Sequence, residues 1–110
     1  MKIALTTTAP NLEAQLDPRF GRCAYVLIVD SETLEFKAHP NPALNSSGGA
    51  GIRMAQFVSD LKPDAVISGD FGPNAASALQ SAHLPMYLFG DSQSVKDVIG
   101  RFKSGKLTKV

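Results

Sequence analysis

A glycine-rich run, NSSGGAG at positions 45–51, is the stretch of this sequence best suited to bind a ligand through its backbone. Glycines lack the Cβ atoms that would hold a ligand away, and they tolerate the positive φ angles that turn successive N–H groups inward. A helical pattern begins at Ile52, so the helix behind the run would add free amides and the positive end of its dipole. The run therefore predicts a site for a bulky anion. The alternative is that it only caps the helix and eases a tight connection.

A second candidate element lies upstream, where two arginines flank a Phe-Gly pair. Arg19 and Arg22 carry forked guanidinium groups, which donate paired hydrogen bonds to anions. Phe20 and the more distant Phe71 offer an apolar wall, and a dry pocket strengthens electrostatic attraction. The alternative for the arginines is a solvated pair near the start of a strand.

The composition is that of one soluble globular domain. Hydrophobic residues make up 44% of the 110 residues and charged residues 19%, and a chain of this length can bury about two-thirds of its extended surface. The formal net charge of +1 gives no general attraction for nucleic acid or an anionic membrane, so any anion site must be local. No window reaches the roughly 18 apolar residues of a membrane span, and the N-terminus lacks a signal-peptide pattern. A single cysteine cannot form an internal disulfide, which favours a reducing cytoplasm.

The hydrophobic periodicity predicts five strands and three helices. Apolar and β-branched runs predict strands at 2–8, 24–30, 34–39, 65–68 and 86–89. Apolar stripes predict a first helix beginning at Ile52, a second beginning at Pro73, and a third capped by Asp91 or Ser92. Pro40 and Pro42 are expected to leave the sheet. Residues 105–110 are expected to be a loose tail, so a single domain is assigned to residues 1–104.

The element order βββαβαβα is typical of a ribonuclease-H-like, three-layer α/β fold. We predict a five-stranded mixed sheet in which one strand, the second, is antiparallel, with right-handed crossovers behind it. The second strand then begins at the edge where the others end. Ligands of open α/β sheets bind outside the carboxyl ends of the strands. The loops at 19–23, 45–51, 68–74 and 90–92 are therefore predicted to gather around a ligand at this edge.

Three motifs in this order resemble a known family. They are Asp17-Pro18-Arg19-Phe20-Gly21-Arg22, Gly48-Gly49-Ala50-Gly51 and Gly72-Pro73-Asn74-Ala75. The chain is similar, over nearly its whole length, to the dinitrogenase iron-molybdenum cofactor biosynthesis family of NifX-like carriers, including small stand-alone members such as the orange proteins. The resemblance implies a ribonuclease-H-like domain that binds, protects or transfers a preformed metal-sulfur cluster without catalysis.

The resemblance also implies a cargo, partners and a site. The cargo would be an anionic iron-molybdenum-sulfur or molybdenum-copper-sulfur cluster, held non-covalently. The partners would be cluster-donor and acceptor proteins, and the protein would be a monomer or a weak homo-oligomer. The residues expected to surround the cluster are Arg19, Phe20, Gly21, Arg22, Ser47, Gly48, Gly49, Ala50, Gly51, Phe71, Gly72, Pro73 and Asn74.

Cys23 is a candidate metal ligand, because thiolates prefer soft ions such as copper. A free cysteine at the start of a strand is more often a small packed hydrophobe, and both possibilities stay open. His39 and His83 have no histidine partner at helical spacing, so both are expected to be structural or exposed.

Two other functions would use the same residues. A phosphate- or nucleotide-sensing module would bind through the same glycine amides, although the run matches neither the dinucleotide fingerprint nor a Walker loop. A metal-dependent nuclease would need carboxylates around two metal ions. The first strand supplies none, although Asp17, Asp70 and Asp91 could approach from loops.

Overall fold

A computed structural model describes residues 1–110 as a three-layer α/β structure built on a six-stranded sheet. The predicted three-layer α/β architecture is confirmed, and the ribonuclease-H-like assignment stays a prediction. The strands are β1 (Lys2–Thr7), β2 (Tyr25–Asp30), β3 (Phe36–Pro40), β4 (Ala65–Ser68), β5 (Met86–Leu88) and β6 (Thr108–Lys109). The helices are α1 (Ala50–Asp60), α2 (Pro73–Ser81) and α3 (Val95–Lys103), with a short 3₁₀ turn at Phe20–Arg22.

The sheet has the strand order β3-β2-β1-β4-β5-β6. β1 pairs with β2 in antiparallel fashion and with β4 in parallel, so β1, β3, β4 and β5 run in one direction. β1 lies in the middle, and its residues from Ile3 to Thr7 are all buried. A continuous apolar run suits such a strand, because its two faces are both covered by helices.

The alternation of side chains along β1 divides the core between the two faces of the sheet. Ala4 lies in the cluster formed with α1 and α2, which contribute Met54 and Leu79. Ile3 lies in the cluster on the other face, where α3 contributes Val98. The helical stripes predicted from the sequence therefore face the sheet from opposite sides. None of the three helices has the length and apolarity required to cross a membrane.

The prediction of five strands with a single antiparallel one is wrong, because the segment predicted as a loose tail, 105–110, contributes β6. Thr108 pairs antiparallel with Leu88, and Lys109 with Tyr87. The Val110 amide also donates to the Met86 carbonyl, at 2.8 Å. Two residues are too few to show a period-two pattern, so the sequence gives no signal for this strand.

Two predicted boundaries also need correction. α1 begins at Ala50 rather than Ile52, so the last residues of the glycine run already belong to the first helical turn. Pro40 does not leave the sheet but ends β3, an edge strand in which a proline needs no partner for its missing N–H.

The helix α3 is capped by Ser94 rather than by Asp91 or Ser92. The Ser94 hydroxyl accepts a hydrogen bond from the Asp97 amide at 3.2 Å, and the Asp97 carboxylate accepts from the Gln93 amide at 2.9 Å. Ser92 is buried and donates its hydroxyl to the Phe89 carbonyl, which closes the preceding turn. Side chains at this junction thus satisfy amides that a bare helix start would leave free.

Ser94→Ala should lower the free energy of unfolding by about 1 kcal/mol, because it removes the cap acceptor. Urea denaturation measures this value. Ser77→Ala is the control, because Ser77 lies exposed within α2, where alanine is the better helix former. Equal stabilities for Ser94→Ala and the parent protein would contradict the assignment of Ser94 as the cap.

Candidate functional site

The candidate site lies at the edge of the sheet where β1, β3, β4 and β5 end and β2 begins. Backbone contacts join the loops there. Arg19 forms an isolated parallel bridge with Asp70, in which the Phe20 amide donates to the Asp70 carbonyl at 3.2 Å. The structure thereby brings the arginine-bearing 3₁₀ turn next to the loop that enters α2.

The 3₁₀ turn also lies directly against the start of α1. A Cβ atom placed on Gly21 would lie 3.1 Å from the amide nitrogen of Gly51, so any side chain there would push two backbones apart. Gly51 in turn faces α2, where its own Cβ would lie 3.4 Å from the Cβ of Ala75. Gly21 and Gly51 therefore serve close packing, and the N-terminal turns of α1 and α2 lie side by side.

Phe20 and Phe71 form an aromatic pair beneath the site. Their ring centroids are 5.2 Å apart and their planes are tilted by 40°, a separation at which aromatic rings attract. Phe20 is 1% exposed and Phe71 7%. The predicted apolar wall thus exists mainly as a buried support that fixes the two loops, and only the edge of Phe71 reaches the surface.

Arg19 is held by a buried carboxylate that the sequence does not identify as part of the site. The Asp17 carboxylate accepts hydrogen bonds from the Arg19 amide at 3.1 Å and from its Nε at 3.3 Å. The Asp17 side chain is 5% exposed and that of Arg19 68%. Hydrogen bonding to Asp17, and then its negative charge, raise the pKa of Arg19 above its usual value. Arg19 therefore presents a fixed but partly neutralised guanidinium group.

Arg22 and Arg53 converge on one residue of the glycine run, Ser46. The Nη1 atom of Arg22 donates to the Ser46 carbonyl at 2.8 Å, and that of Arg53 to the Ser46 hydroxyl at 3.2 Å. Both arginines are exposed, and neither forms a salt bridge with a carboxylate. Two cations without a counter-ion therefore flank the same turn.

The helices α1 and α2 both begin without a capping side chain. Their N-cap residues are Gly49 and Gly72, with φ of 70° and 71°, and neither first turn contains an acidic residue. Such φ values are favourable only for glycine. Free first-turn amides and the positive dipole ends attract anions. The start of α1 offers such amides, whereas at the start of α2 the Gly72 amide is bonded to Asp70 and Pro73 has no N–H.

The remaining predicted site residues divide into open and packed positions. A Cβ atom on Gly48, Gly49 or Gly72 would meet no atom within 4 Å. Ser47, Pro73 and Asn74 are also exposed, whereas Ala50 is buried in the core below α1. The open positions surround the two helix starts and leave their backbone accessible to a ligand.

Cys23 is enclosed in the protein core rather than directed at the surface. It is 0% exposed and packs in the cluster beneath α1 and α2. Its Sγ lies 3.4 Å from the Phe20 carbonyl, to which the thiol donates. Burial, and secondarily the negative charge of Asp17, raise the pKa of the Cys23 thiol to about 12. The geometry matches the packed-hydrophobe interpretation of this residue.

No group of three or more His, Cys, Asp or Glu side chains is placed to hold a metal ion. His39 is half-buried with its ring edge-on to Phe57 at 5.8 Å, and His83 is exposed. Asp70 accepts a hydrogen bond from the Gly72 amide, so its carboxylate shapes the turn into α2. The donor set is thus amides and guanidinium groups, which suits an anion rather than a bare cation.

The sequence analysis does not assign the roles of three residues in this region. Asp17 holds Arg19, Arg53 bonds Ser46, and Asn41 bonds backbone groups beside Arg22. Arg53 carries a signal in hindsight, because a cation in the first turn of a helix opposes the dipole. Asp17 also carries a local signal, because an aspartate side chain commonly accepts a hydrogen bond from the amide two residues on, here that of Arg19. Asn41 acts on the carbonyls of Gly21 and Cys23, which are 20 and 18 residues away in the sequence, and no spacing rule reveals such contacts.

One family model and one curated relative match nearly the whole chain. The model of the dinitrogenase iron-molybdenum cofactor family matches residues 1–105. An uncharacterized protein of Methanocaldococcus jannaschii is 33% identical over 112 residues, covering 99% of this chain and 91% of that protein.

Solved structures show the same fold. The apo form of the orange protein from Desulfovibrio gigas matches with a TM-score of 0.92 and 33% identity, covering 99% of this chain and 92% of that one. A putative NifB protein from Thermotoga matches with a TM-score of 0.82 over 98% of this chain and 91% of that one. At 24% identity this second match is evidence for the fold alone.

Cys23 should be unreactive in the folded protein, because only the thiolate attacks alkylating and disulfide reagents. Near neutral pH, a thiol-reactive dye should label the chain no faster than it unfolds, and should label it at once in guanidinium. Rapid labelling of the folded chain would contradict the buried position.

The pH dependence of the free energy of unfolding should also reflect the burial of the Cys23 thiol. The folded-state pKa of the Cys23 thiol, about 12, lies above its ordinary value of 9.0. The stability that the buried thiol contributes is therefore present below pH 9.0 and is lost as the pH rises towards 12. Chemical denaturation across this window should show a steeper loss for the parent protein than for Cys23→Ala.

Proposed function

Because this chain belongs to the dinitrogenase iron-molybdenum cofactor family, we propose that it binds a preformed, anionic metal-sulfur cluster and carries or protects it without chemical change. The cluster is the cargo of the protein. Its proposed position is the open surface over the starts of α1 and α2, bordered by the glycine run.

One observation carries the proposal: Arg22 and Arg53 converge on Ser46 with no carboxylate to balance them. Two like charges brought together at the surface repel each other, and this repulsion is relieved when an anion lies between them. Arg19 adds a third guanidinium group, which Asp17 anchors from below. Guanidinium groups also suit a polarizable sulfide surface, since they are weakly hydrated and planar.

The backbone supplies the second set of donors. The first-turn amides of α1 have no side-chain cap, and at the start of α2 the amides of Asn74 and Ala75 are the available ones, since Asp70 occupies that of Gly72. The open glycines Gly48, Gly49 and Gly72 let a large ligand approach these amides. Amides aimed at a cluster sulfide stabilise its negative charge without a covalent bond. Pro73 and Asn74, exposed at the first turn of α2, would border the cargo.

The cargo would be held without a protein thiolate. Cys23, the sole cysteine, is buried, and the other potential metal ligands do not cluster. A cluster that already carries its own sulfide ligands needs no further ones. Iron-molybdenum-sulfur and molybdenum-copper-sulfur clusters both fit this description, and the experiments below test the second.

A phosphate or nucleotide would engage the same amides and arginines, so it is the competing ligand in the experiments below. The carboxylates of this edge do not favour a two-metal nuclease. That of Asp17 is bonded to Arg19, and that of Asp70 to the Gly72 amide. Donor and acceptor proteins that exchange the cluster complete the proposal.

The arginines should dominate loading. Titration with tetrathiomolybdate and copper(I), followed by visible absorption, should show that Arg22→Ala and Arg53→Ala each weaken binding by about tenfold, since each removes charge-assisted hydrogen bonds. Added salt should weaken binding to the parent protein, because exposed charges are screened.

Arg101→Ala is the matched control, because Arg101 lies on α3 and is occupied by Asp91 and Asp97. It should load like the parent protein. Undiminished loading of an Arg22→Ala and Arg53→Ala double variant would overturn the proposed site. Tight binding of inorganic phosphate or ATP, with no binding of the thiomolybdate, would favour the sensing module.

Substitutions of two glycines should distinguish a glycine that contacts the ligand from one that serves packing. Gly48→Val should block loading yet change the free energy of unfolding by no more than about 0.5 kcal/mol, because no atom lies near its Cβ. Gly51→Val should cost about 1–3 kcal/mol, because the side chain would press on Ala75. Denaturation and loading are measured on both variants. Normal loading of Gly48→Val would show that the run does not contact the cargo.

A further inference from the structure

Asn41 is a buried polar residue at the point where the chain leaves β3 and turns towards the glycine run. It is 7% exposed. Its Nδ2 donates to the carbonyls of Gly21, at 3.1 Å, and Cys23, at 2.8 Å, and its Oδ1 accepts from the Ala43 amide at 2.7 Å. A buried amide side chain is costly unless its polar atoms are satisfied. Here three backbone groups satisfy them, and the Cys23 Sγ is a more distant partner of Nδ2 at 3.9 Å.

The two carbonyls that Asn41 holds belong to the residues on either side of Arg22. One amide group therefore fixes the peptide unit that leads into Arg22 and the peptide unit that follows Cys23. On the opposite side, the turn that the Asn41 side chain makes with Ala43 continues through the hydrogen bond from the Ser46 amide to the Ala43 carbonyl, at 3.0 Å. Asn41 thus holds both ends of the contact in which Arg22 donates to the Ser46 carbonyl.

We infer that Asn41 is a positioning residue for the anion site, which sets the distance between the arginine-bearing turn and the glycine run. The inference rests on the proposed function, since it assigns Asn41 a role in loading. Asn41 does not touch the cargo surface itself. It acts through Arg22 and Ser46, whose relative placement decides whether the guanidinium group and the loop amides can reach one ligand.

A residue that merely stabilised the core would affect unfolding without selectively affecting loading. Two substitutions separate these effects. Asn41→Asp keeps an acceptor for the Ala43 amide but replaces the Nδ2 donor with an oxygen that faces two carbonyls. Asn41→Ala removes both links without adding repulsion, so it serves if the aspartate variant folds poorly. Each should weaken binding of tetrathiomolybdate with copper(I) by about tenfold or more, as supporting residues of metal sites do.

Two control variants show how much loading is lost through lower stability or through loss of an unrelated side-chain bond. Val98→Ala lies in the core on the α3 face and should lower the melting temperature without affecting loading. Asn11→Ala removes a comparable side-chain bond, from the Glu13 amide to the Asn11 side chain, in a loop that does not join the two elements. Loading that falls no further in the Asn41 variants than in a Val98→Ala protein of similar melting temperature would overturn the inference.

Hydrogen exchange of the cargo-free protein distinguishes failure of this inference from failure of the proposed function. Backbone amides at 22–23 and 43–46 should exchange faster in the Asn41 variants than in Val98→Ala. Faster exchange there, with no thiomolybdate binding by the parent protein, would sustain the positioning role and reject the cargo. Unchanged exchange with normal loading would reject the positioning role and leave the cargo intact.

Discussion

The site depends on one close backbone contact, the approach of Gly21 to the amide of Gly51. A Cβ on Gly21 would lie 3.1 Å from that nitrogen, so the 3₁₀ turn can lie on the first turn of α1 only because the side chain is missing. This contact brings the arginines of the turn over the start of α1. Because Gly51 also packs on Ala75, α2 is placed by the same stack, and its free amides join those of α1.

The N-terminal caps of the helices show where this fold lacks a stabilising side chain and leaves helix amides unpaired. All three helices begin at the same edge of the sheet, yet only α3, on the opposite face, has a capping side chain and an acid in its first turn. α1 and α2 begin with glycine and have neither. Arg53 even places a cation in the first turn of α1, against the dipole. Departures from local stability rules of this kind are expected at functional sites. In a chain of net charge +1, they leave two unpaired arginines beside the uncapped start of α1.

The sequence predicts well whatever repeats with a period or contains a marked turn, and it predicts poorly what rests on single long-range contacts. The buried run of β1 and the stripe through Met54 and Val58 identify the layers, and Pro73 marks the start of α2. The two-residue β6 has no period to detect. The cap of α3 was predictable, because Ser94 has an acidic residue three positions on, Asp97, as in a capping box, and Asp91 and Ser92 do not. In the site, the glycines at 49 and 72 were predictable. The role of Asn41 was not, because the carbonyls of Gly21 and Cys23 come near it only in the folded chain.

The hydrogen bonds of Arg22 bear on how the proposed carrier holds and releases its cargo. The Arg22 guanidinium group donates to the carbonyls of Leu44 and Ser46, so the proposed loading would exchange these bonds for bonds to the cluster rather than create new ones. The net gain per arginine is then the difference between a charge-assisted bond to an anion and one to a neutral carbonyl, which is smaller than either alone. Several such small differences, added over the arginines and the helix amides, give specific binding. The proposed site has no metal-thiolate bond that must break before release. The cluster can therefore exchange its contacts with the protein, one at a time, for contacts with the proposed acceptor protein.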